Sequence, residues 1–458
     1  MAANSAMFRL RLSNRINHPR YPGAVVLFLL TFTAIPFAAT KFPFPSSDRY
    51  PFGIIAANAV ADDVQRTFAA WKADFYEEQG EFARIKWDTP AMTVSEGIGY
   101  GMLIMVYMDN AANDTKDEFD KLWAYYKKWR NNNGVMNWKI NGFSSVAEYS
   151  GATDAELDAA LALLMAYKQW GVESYQQDAK SLINTIWEHE VSSTFYLKPG
   201  DAWNDRKNPS YFSTAALELF KKVDSHDWSK VIAKAYELMT AAADKTTGLV
   251  PDWCDESGGA LGTHFSWDAV RTPWRMAWAW AWHGHADAQA RSSAMVKWIM
   301  EKTDNDPSKI VQGYDLNGNE NPSSFPYKVG FTGAFTCAGM VDSAYQQWVN
   351  NGYLLTNSQD AADNYYQRTL VVMYLLLLSG NMQNLWEYSG NTGTTQGAVL
   401  PRMVAKSADR AIYDIRGRRV MTLPQCINSI NLPRGAGGVY VVSSKCGSGI
   451  IYRKIARW

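Results

Sequence analysis

Histidine and cysteine are both scarce, with six and four residues in a chain of 458. No CxxC spacing and no HExxH occur, so the common zinc-ligand patterns are missing. His283 and His285 form a lone HxH, which reads as a core or surface pair. Net charge is also lacking: Lys+Arg and Asp+Glu balance at 45 each, leaving no basic field to draw in nucleic acid. Beyond residue 40 no apolar run reaches the ~20 residues of a membrane span; "LVVMYLLLL" is too short. The glycine-rich stretch "GIGYG" has GxGxG spacing, with no buried strand before it and no acidic residue placed to close a dinucleotide-binding unit. No Gly-Lys-Ser/Thr follows, so it is not a P-loop, and no GxSxG elbow is present. "DLNGNEN", from Asp315, has its Gly318 two places early for a calcium loop and no closing Glu, so it reads as a turn.

Aromatics, by contrast, are abundant at 14%, with 19 Trp and 24 Tyr. Such residues fill cores, but they also line grooves that stack on sugar rings. The chain opens with Arg9, Arg11, Arg15 and Arg20 ahead of "AVVLFLLTFTAIPFAA", a short apolar run broken by Pro36 and ending in small residues. This is the form of an export signal, residues 1–39, although cleavage after Ala39 would put Phe37 at −3. An uncleaved anchor is the competing reading. The four cysteines, Cys254, Cys337, Cys426 and Cys446, allow three pairings, and spacing does not choose among them. A local Cys426–Cys446 bridge fits an exported chain.

From about Ala56 to Gly380 the apolar spacing is helical nearly throughout, in "ANAVADDVQRTFAAWKADFYEEQ", "DEFDKLWAYYKKW", "DAELDAALALLMAYKQW" and their successors. About eleven helices are expected, joined by loops that carry many tryptophans: "WDTPAM", "GVMNWKINGF", "KPGDAWNDRKNPSYF" and "GLVPDWCDESGG". After "SGNTGTTQGAVLPR" the texture changes to short β-strands between turns, marking a separate module over 404–458.

Three carboxylates stand out. Thr93-x-x-Glu96 fits a capping box at a helix start. Yet Gly97, Gly99 and Gly101 each cost roughly 1 kcal/mol in a helix interior. Their effect is to strip side chains from around Glu96, so a helix or ligand can approach closely. With Val94, Ile98 and Met102 alongside, Glu96 is expected to have a raised pKa, suited to a general acid. Thr153 reads as an N-cap with Asp154 in the first turn, where the helix dipole favours the ionised form. Glu156 is its box partner and Asp158 lies one turn on. Asp268 and Arg271, in "FSWDAVRTPWR", are spaced to interact, which keeps Asp268 ionised. Trp267, Trp274 and His264 argue against a solvated face there.

"TVSEGIGYGM", "ATDAELDAALALLMAYKQW", "DAWNDRKNPSYF" and "WDAVRTPWR", in this order, resemble the motifs of glycoside hydrolase family 8 and span most of residues 56–380. Glu156 stands where the family usually has Asp. The resemblance implies an all-α (α/α)6 barrel, over 42–403, that cleaves β-1,4-linked polysaccharide with inversion and without metal or organic cofactor. It carries the role of acid onto Glu96, of base onto Asp268, and of sugar binder at the cleavage point onto Asp154. Trp138 and Trp203 match the family's aromatic platforms, and Tyr211, Arg271 and Trp267 lie in matching motifs as substrate-binding residues. The C-terminal pieces "IYDIRGRRV", "LPRGAGGVYVV" and "RKIA" resemble sorting domains of type IX secretion substrates, which implies secretion machinery as a partner. The expected protein is thus a secreted monomeric endo-β-1,4-glucanase, an endoglucanase or cellulase. Its rivals are a xylanase or chitosanase on the same scaffold, a catalytically dead carbohydrate-binding protein, and a helical toroid for terpenoid cyclisation. A chitosanase would need extra acidic residues in its groove, for which Asp201, Asp205, Asp252, Asp255 and Glu256 are available.

Overall fold

The computed structural model describes residues 40–322 and 326–390, together with four strands near the C-terminus. Twelve α-helices are present among the described residues, rather than about eleven: α1 Ala61–Phe75, α2 Ser95–Met108, α3 Lys116–Lys128, α4 Thr153–Trp170, α5 Glu173–Glu190, α6 Thr214–Val223, α7 Trp228–Ala242, α8 Arg271–His283, α9 Ala286–Lys302, α10 Val329–Ala338, α11 Gln346–Ser358 and α12 Tyr365–Leu378. The ten-residue α6 and α10 leave a periodic pattern the least room to declare itself.

The even-numbered helices close a ring, each touching the next from α2 through α4, α6, α8, α10 and α12 back to α2. Each odd-numbered helix packs outside on an even-numbered neighbour: α1 on α12, α3 on α2, α5 on α4, α7 on α6, α9 on α8 and α11 on α10. This is the expected (α/α)6 barrel. Sequence explains which helix goes where. The outer α3 is amphipathic and buries only Phe119, Leu122, Trp123, Tyr125 and Tyr126. The inner α2 is apolar on all sides and buries every residue except Glu96. Charge inside the barrel is admitted where it is paired: Arg275 on α8 donates to both oxygens of Asp158 on α4, at 2.6 Å each.

Short strands decorate the helix connections. The segment "YEEQ", expected as the tail of the first helix, is instead strand β1 (Tyr76–Gln79), paired with β2 (Phe82–Ile85) across Gly80, whose φ is +64°. β3 (Met92–Val94), β4 (Lys139–Asn141) and β5 (Ser145–Glu148) form an antiparallel sheet in that order and lead into α2. β6 (His264–Phe265) pairs with β7 (Tyr314–Asp315). The turn after Asp315 is as expected, with Asn319 donating to that carboxylate and Gly318 at φ +86°. His283 Nε2 bonds the Ala215 carbonyl and His285 stacks on Tyr236, so the HxH is structural.

Near the C-terminus β8 (Arg410–Asp414), β9 (Arg419–Leu423), β10 (Gly438–Cys446) and β11 (Gly449–Arg457) pair antiparallel in the order β11-β10-β8-β9. The export segment 1–39 and the Cys426–Cys446 pairing lie outside the described residues. Cys254 and Cys337 are free and buried. No helix among the described residues is long and apolar enough to cross a membrane.

Candidate active site

Each glycine of "GIGYG" marks a close approach. A Cβ on Gly97 would lie 2.9 Å from the Tyr365 hydroxyl, and one on Gly99 would lie 3.0 Å from the Ala155 carbonyl of α4. A Cβ on Gly101 would meet the Ile85 side chain at 2.9 Å. The glycines therefore let α12, α4 and β2 close around the first turn of α2, where Glu96 sits. Thr93 does not cap this helix. It belongs to β3, and its hydroxyl donates to the Ile85 carbonyl.

Glu96, Asp154 and Asp268 come from three different parts of the chain and meet on one guanidinium. Arg271, only 2% exposed, donates from Nη1 to Glu96 Oε2 at 2.7 Å and to Asp154 Oδ2 at 2.6 Å. Its Nη2 donates to Asp268 Oδ1 at 3.0 Å. The Arg271–Asp268 contact expected from spacing is made, with Asp268 just ahead of α8 rather than inside it.

The three acids differ in surroundings. Glu96 is pushed up to about 7, first by burial and against the pull of Arg271, with Asp154 adding to the rise. That agrees with the expectation for an acid. Asp154 is raised to about 6, again chiefly by burial and despite Arg271. The shift runs opposite to the one the helix dipole alone would give, because desolvation of a fully buried carboxyl outweighs a partial charge at the helix end; at about 6 the group is still mostly ionised at neutral pH. Thr153 is likewise the first residue of α4, with Ala152 at the cap position and no side-chain cap bond. Glu156 instead accepts from Ala152 N at 3.1 Å and from the Tyr126 hydroxyl at 3.1 Å. Asp268 is the most open of the three, its side chain 33% exposed. Asn208 donates to its Oδ1 at 2.9 Å and Trp253 Nε1 to its Oδ2 at 3.1 Å. The loop beneath it is tied down by Asp252, which accepts from Ser266 N and Ala269 N.

A cleft of about 380 Å³ opens on this cluster, lined by Trp87, Asp88, Glu96, Trp267, Asp268, Arg271, Asn364 and Tyr366. Trp267 packs against Phe331 at 5.0 Å. Tyr211 lies over the Arg271 guanidinium at 5.2 Å and against the edge of Trp253 at 6.1 Å. Trp253 in turn meets Trp203 at 6.3 Å, so an aromatic file runs from the cluster outward to Trp203, which is 46% exposed. Trp138 is partly buried; Lys139 Nζ sits 5.1 Å from its ring and 5.1 Å from that of Trp87. Asp88, Asn208, Trp253, Tyr365 and Tyr366 were not singled out in the sequence. Trp253 and Asn208 do sit in tryptophan-bearing loops, and the tyrosine pair opens the last helix. Among the described residues no group of three or more His, Cys, Asp or Glu side chains is arranged to hold a metal ion.

An inner helical ring that brings Glu96 and Asp268 to an aromatic-walled cleft, with Asp154 buried on the same arginine, can do acid–base chemistry on a sugar polymer. Comparison with known proteins agrees. Residues 42–380 match the family described as Glycosyl hydrolases family 8. The chain is 32% identical over 431 residues to Endoglucanase 2 of Ruminiclostridium josui, covering 88% of this chain and 90% of that protein. It is 31% identical to a Beta-glucanase of Niallia circulans, over 80% of this chain and 97% of that one. The apo structure of a beta-1,3-1,4-glucanase from Paenibacillus sp. X4 superposes with a TM-score of 0.70 at 29% identity, covering 75% of this chain and 99% of that one. The chain belongs to glycosyl hydrolase family 8 and is a glycoside hydrolase.

Proposed function

We propose that this enzyme is an exported endo-β-1,4-glucanase that hydrolyses cellulose chains or mixed-linkage β-glucan with inversion. The observation that carries the reading is the single buried arginine shared by three carboxyls of unequal environment. Glu96, pushed up to about 7, is protonated in a large fraction of molecules at neutral pH and gives its proton to the leaving glycosidic oxygen. Asp268, partly open to the cleft and fixed by Asn208 and Trp253, takes a proton from the attacking water. The water oxygen bonds to the anomeric carbon as the glycosidic bond breaks. Glu96 and Asp268 hang from different nitrogens of Arg271, and inversion requires a water between the two carboxyls. Asp154 holds the sugar at the cleavage point, and Trp138, Trp203, Tyr211 and Trp267 supply stacking surface.

The loop carboxylates weigh against chitosan. Asp201 accepts from Gly151 N, Ser150, Asn131 and Asn133. Asp205 pairs with Arg206, Asp252 ties the Asp268 loop, Asp255 closes a turn through Ser257 and Gly259, and Glu256 sits on Lys207 and Thr194. Each has an internal partner, and Lys139 and Arg206 place cations beside the tryptophans. A neutral glucan suits this groove better than a polymer of ammonium sugars. Export rests on the N-terminal arginine-plus-apolar pattern, and delivery by type IX machinery on the C-terminal resemblance. Hydrolysis of carboxymethylcellulose, lichenan, xylan and chitosan tests the substrate class. Activity is expected on the first two, and preference for chitosan or xylan would overturn the reading. An NMR record of the first anomer released tests inversion; retention would mean that one carboxylate acts as a nucleophile.

A further inference from the structure

Glu96 has two oxygens in different company. Oε2 faces Arg271 Nη1, a group that donates and never accepts. Oε1 faces the hydroxyl of Tyr365 at 3.1 Å, which can do either. A proton on Oε2 would point at a cation; a proton on Oε1 meets an oxygen that can accept it. Once the proton has left, the same hydroxyl turns and donates to the carboxylate. Tyr365 thus serves both states of the acid, and the position of its ring decides which oxygen of Glu96 is the proton donor.

That position is set from outside the helix. Tyr365 is the first residue of α12, so its backbone N–H has no partner within the helix. Asp88 supplies one, accepting it on Oδ1 at 2.7 Å. Asp88 itself sits in a loop that Arg84 braces, with Nη1 donating to the Met92 carbonyl at 2.9 Å and Nη2 to the Pro90 carbonyl at 2.8 Å. Asn364 accepts from Gln367 N at 2.8 Å and fixes the turn from the other side. The absent Cβ of Gly97 then admits the ring.

We propose that Asp88 and Tyr365 act as positioning residues for the acid: Asp88 anchors the start of α12 so that the Tyr365 hydroxyl holds the proton of Glu96 on Oε1, the oxygen turned away from Arg271. This rests on Glu96 being the general acid. The balance is unchanged: the proton leaves Oε1 for the glycosidic oxygen, and the water that replaces the leaving sugar loses its proton to Asp268.

The test compares kcat/KM on cellohexaose, which needs protonation of its leaving group, with dinitrophenyl β-cellobioside, which does not. Five variants are used: Glu96→Gln, Tyr365→Phe, Asp88→Ala, Asp88→Asn and the double Tyr365→Phe/Asp88→Ala. Tyr365→Phe and Asp88→Ala should each lose about ten- to a hundredfold on cellohexaose, and at least about tenfold less on the aryl substrate. Asp88→Asn keeps an oxygen for the Tyr365 N–H and should recover most of the loss. The double variant Tyr365→Phe/Asp88→Ala should be little worse than either single, because both act through one contact. Tyr365→Phe should also move the alkaline limb of the pH profile upward, since a donor that favours ionised Glu96 is gone. The other groups that face Glu96 are untouched: Arg271 of α8, Asp268 before it, Asp154 of α4, Tyr100 of α2, Tyr211 and Tyr366.

Equal losses on both substrates, or an Asp88→Asn variant as impaired as Asp88→Ala, would overturn the inference while Glu96→Gln still showed the leaving-group signature. If Glu96→Gln lacks that signature, Glu96 is not the acid, and the inference falls with the assignment it rests on.

Discussion

Replacing Glu96 by glutamine should make the enzyme more stable and nearly inactive, and the gain in stability should depend on pH. The amide oxygen can face Arg271 and the amide nitrogen the Tyr365 hydroxyl, so glutamine imitates the protonated acid. In the folded protein Glu96 is held at about 7 against an ordinary 4.5, by burial first. Between those values the folded state binds more protons than the unfolded one, so stability falls as pH rises through the window. By pH 8 the ionised side chain costs about 3 kcal/mol relative to its protonated form. Glutamine carries no such cost. Urea unfolding of both forms should show Glu96→Gln more stable by up to ~3 kcal/mol at pH 8 and by little at pH 5. Turnover of lichenan should fall by ~10²–10⁴. A variant equally or less stable at pH 8 would refute the claim that burial dominates at Glu96. Near-normal turnover would return Glu96 to a purely structural role.

Arg271→Met should destabilise the protein by about 3 kcal/mol at pH 8, since it strands buried carboxyls. The deficit should shrink towards pH 5 as Glu96 and Asp154, already raised to about 7 and about 6, take up protons; unfolding at the two pH values checks this. Gly97→Ala should displace the Tyr365 ring and lower kcat on cellohexaose about tenfold. Its Tm should change little, because the gain in helix propensity offsets part of the clash. Trp203→Ala should raise KM for long cello-oligosaccharides about tenfold with an unchanged Tm, the ring being 46% exposed. A large drop in Tm would mark Trp203 as a core residue.

The four motifs were legible because each packs its chemistry into a few consecutive residues. Glu96 beside three glycines, and Asp268 three residues before Arg271, are local patterns whose meaning survives without coordinates. The barrel was legible for a related reason: inner helices such as α2 and α10, apolar on nearly every side, and outer helices such as α3, apolar on one face, read differently along the chain. What stayed hidden was assembled across distance. Asn208 reaches Asp268 over 60 residues and Tyr365 reaches Glu96 over 269, and no spacing rule joins them. Local rules also misled where tertiary contacts outweighed them. Thr93 had the right offset for a cap but spends its hydroxyl on Ile85, and "YEEQ" continued a helical pattern yet pairs with β2 as a strand. At Asp154 the dipole argument missed the direction of the shift, because depth of burial is not written in the local sequence.

The shared guanidinium has a consequence for the catalytic cycle as a whole. On the proposed assignment, each turnover removes a proton from Glu96 and delivers one to Asp268, and both sit on the same arginine. The sum of charge around Arg271 is therefore the same before and after the bond is cut, although its distribution has moved from one nitrogen to the other. A buried cation facing a changing total would have to shift or draw in solvent at every round. Here it can stay still, and the return of the proton from Asp268 to Glu96 is an exchange within one cluster. The field that Arg271 exerts on the substrate is the same at the start of each round.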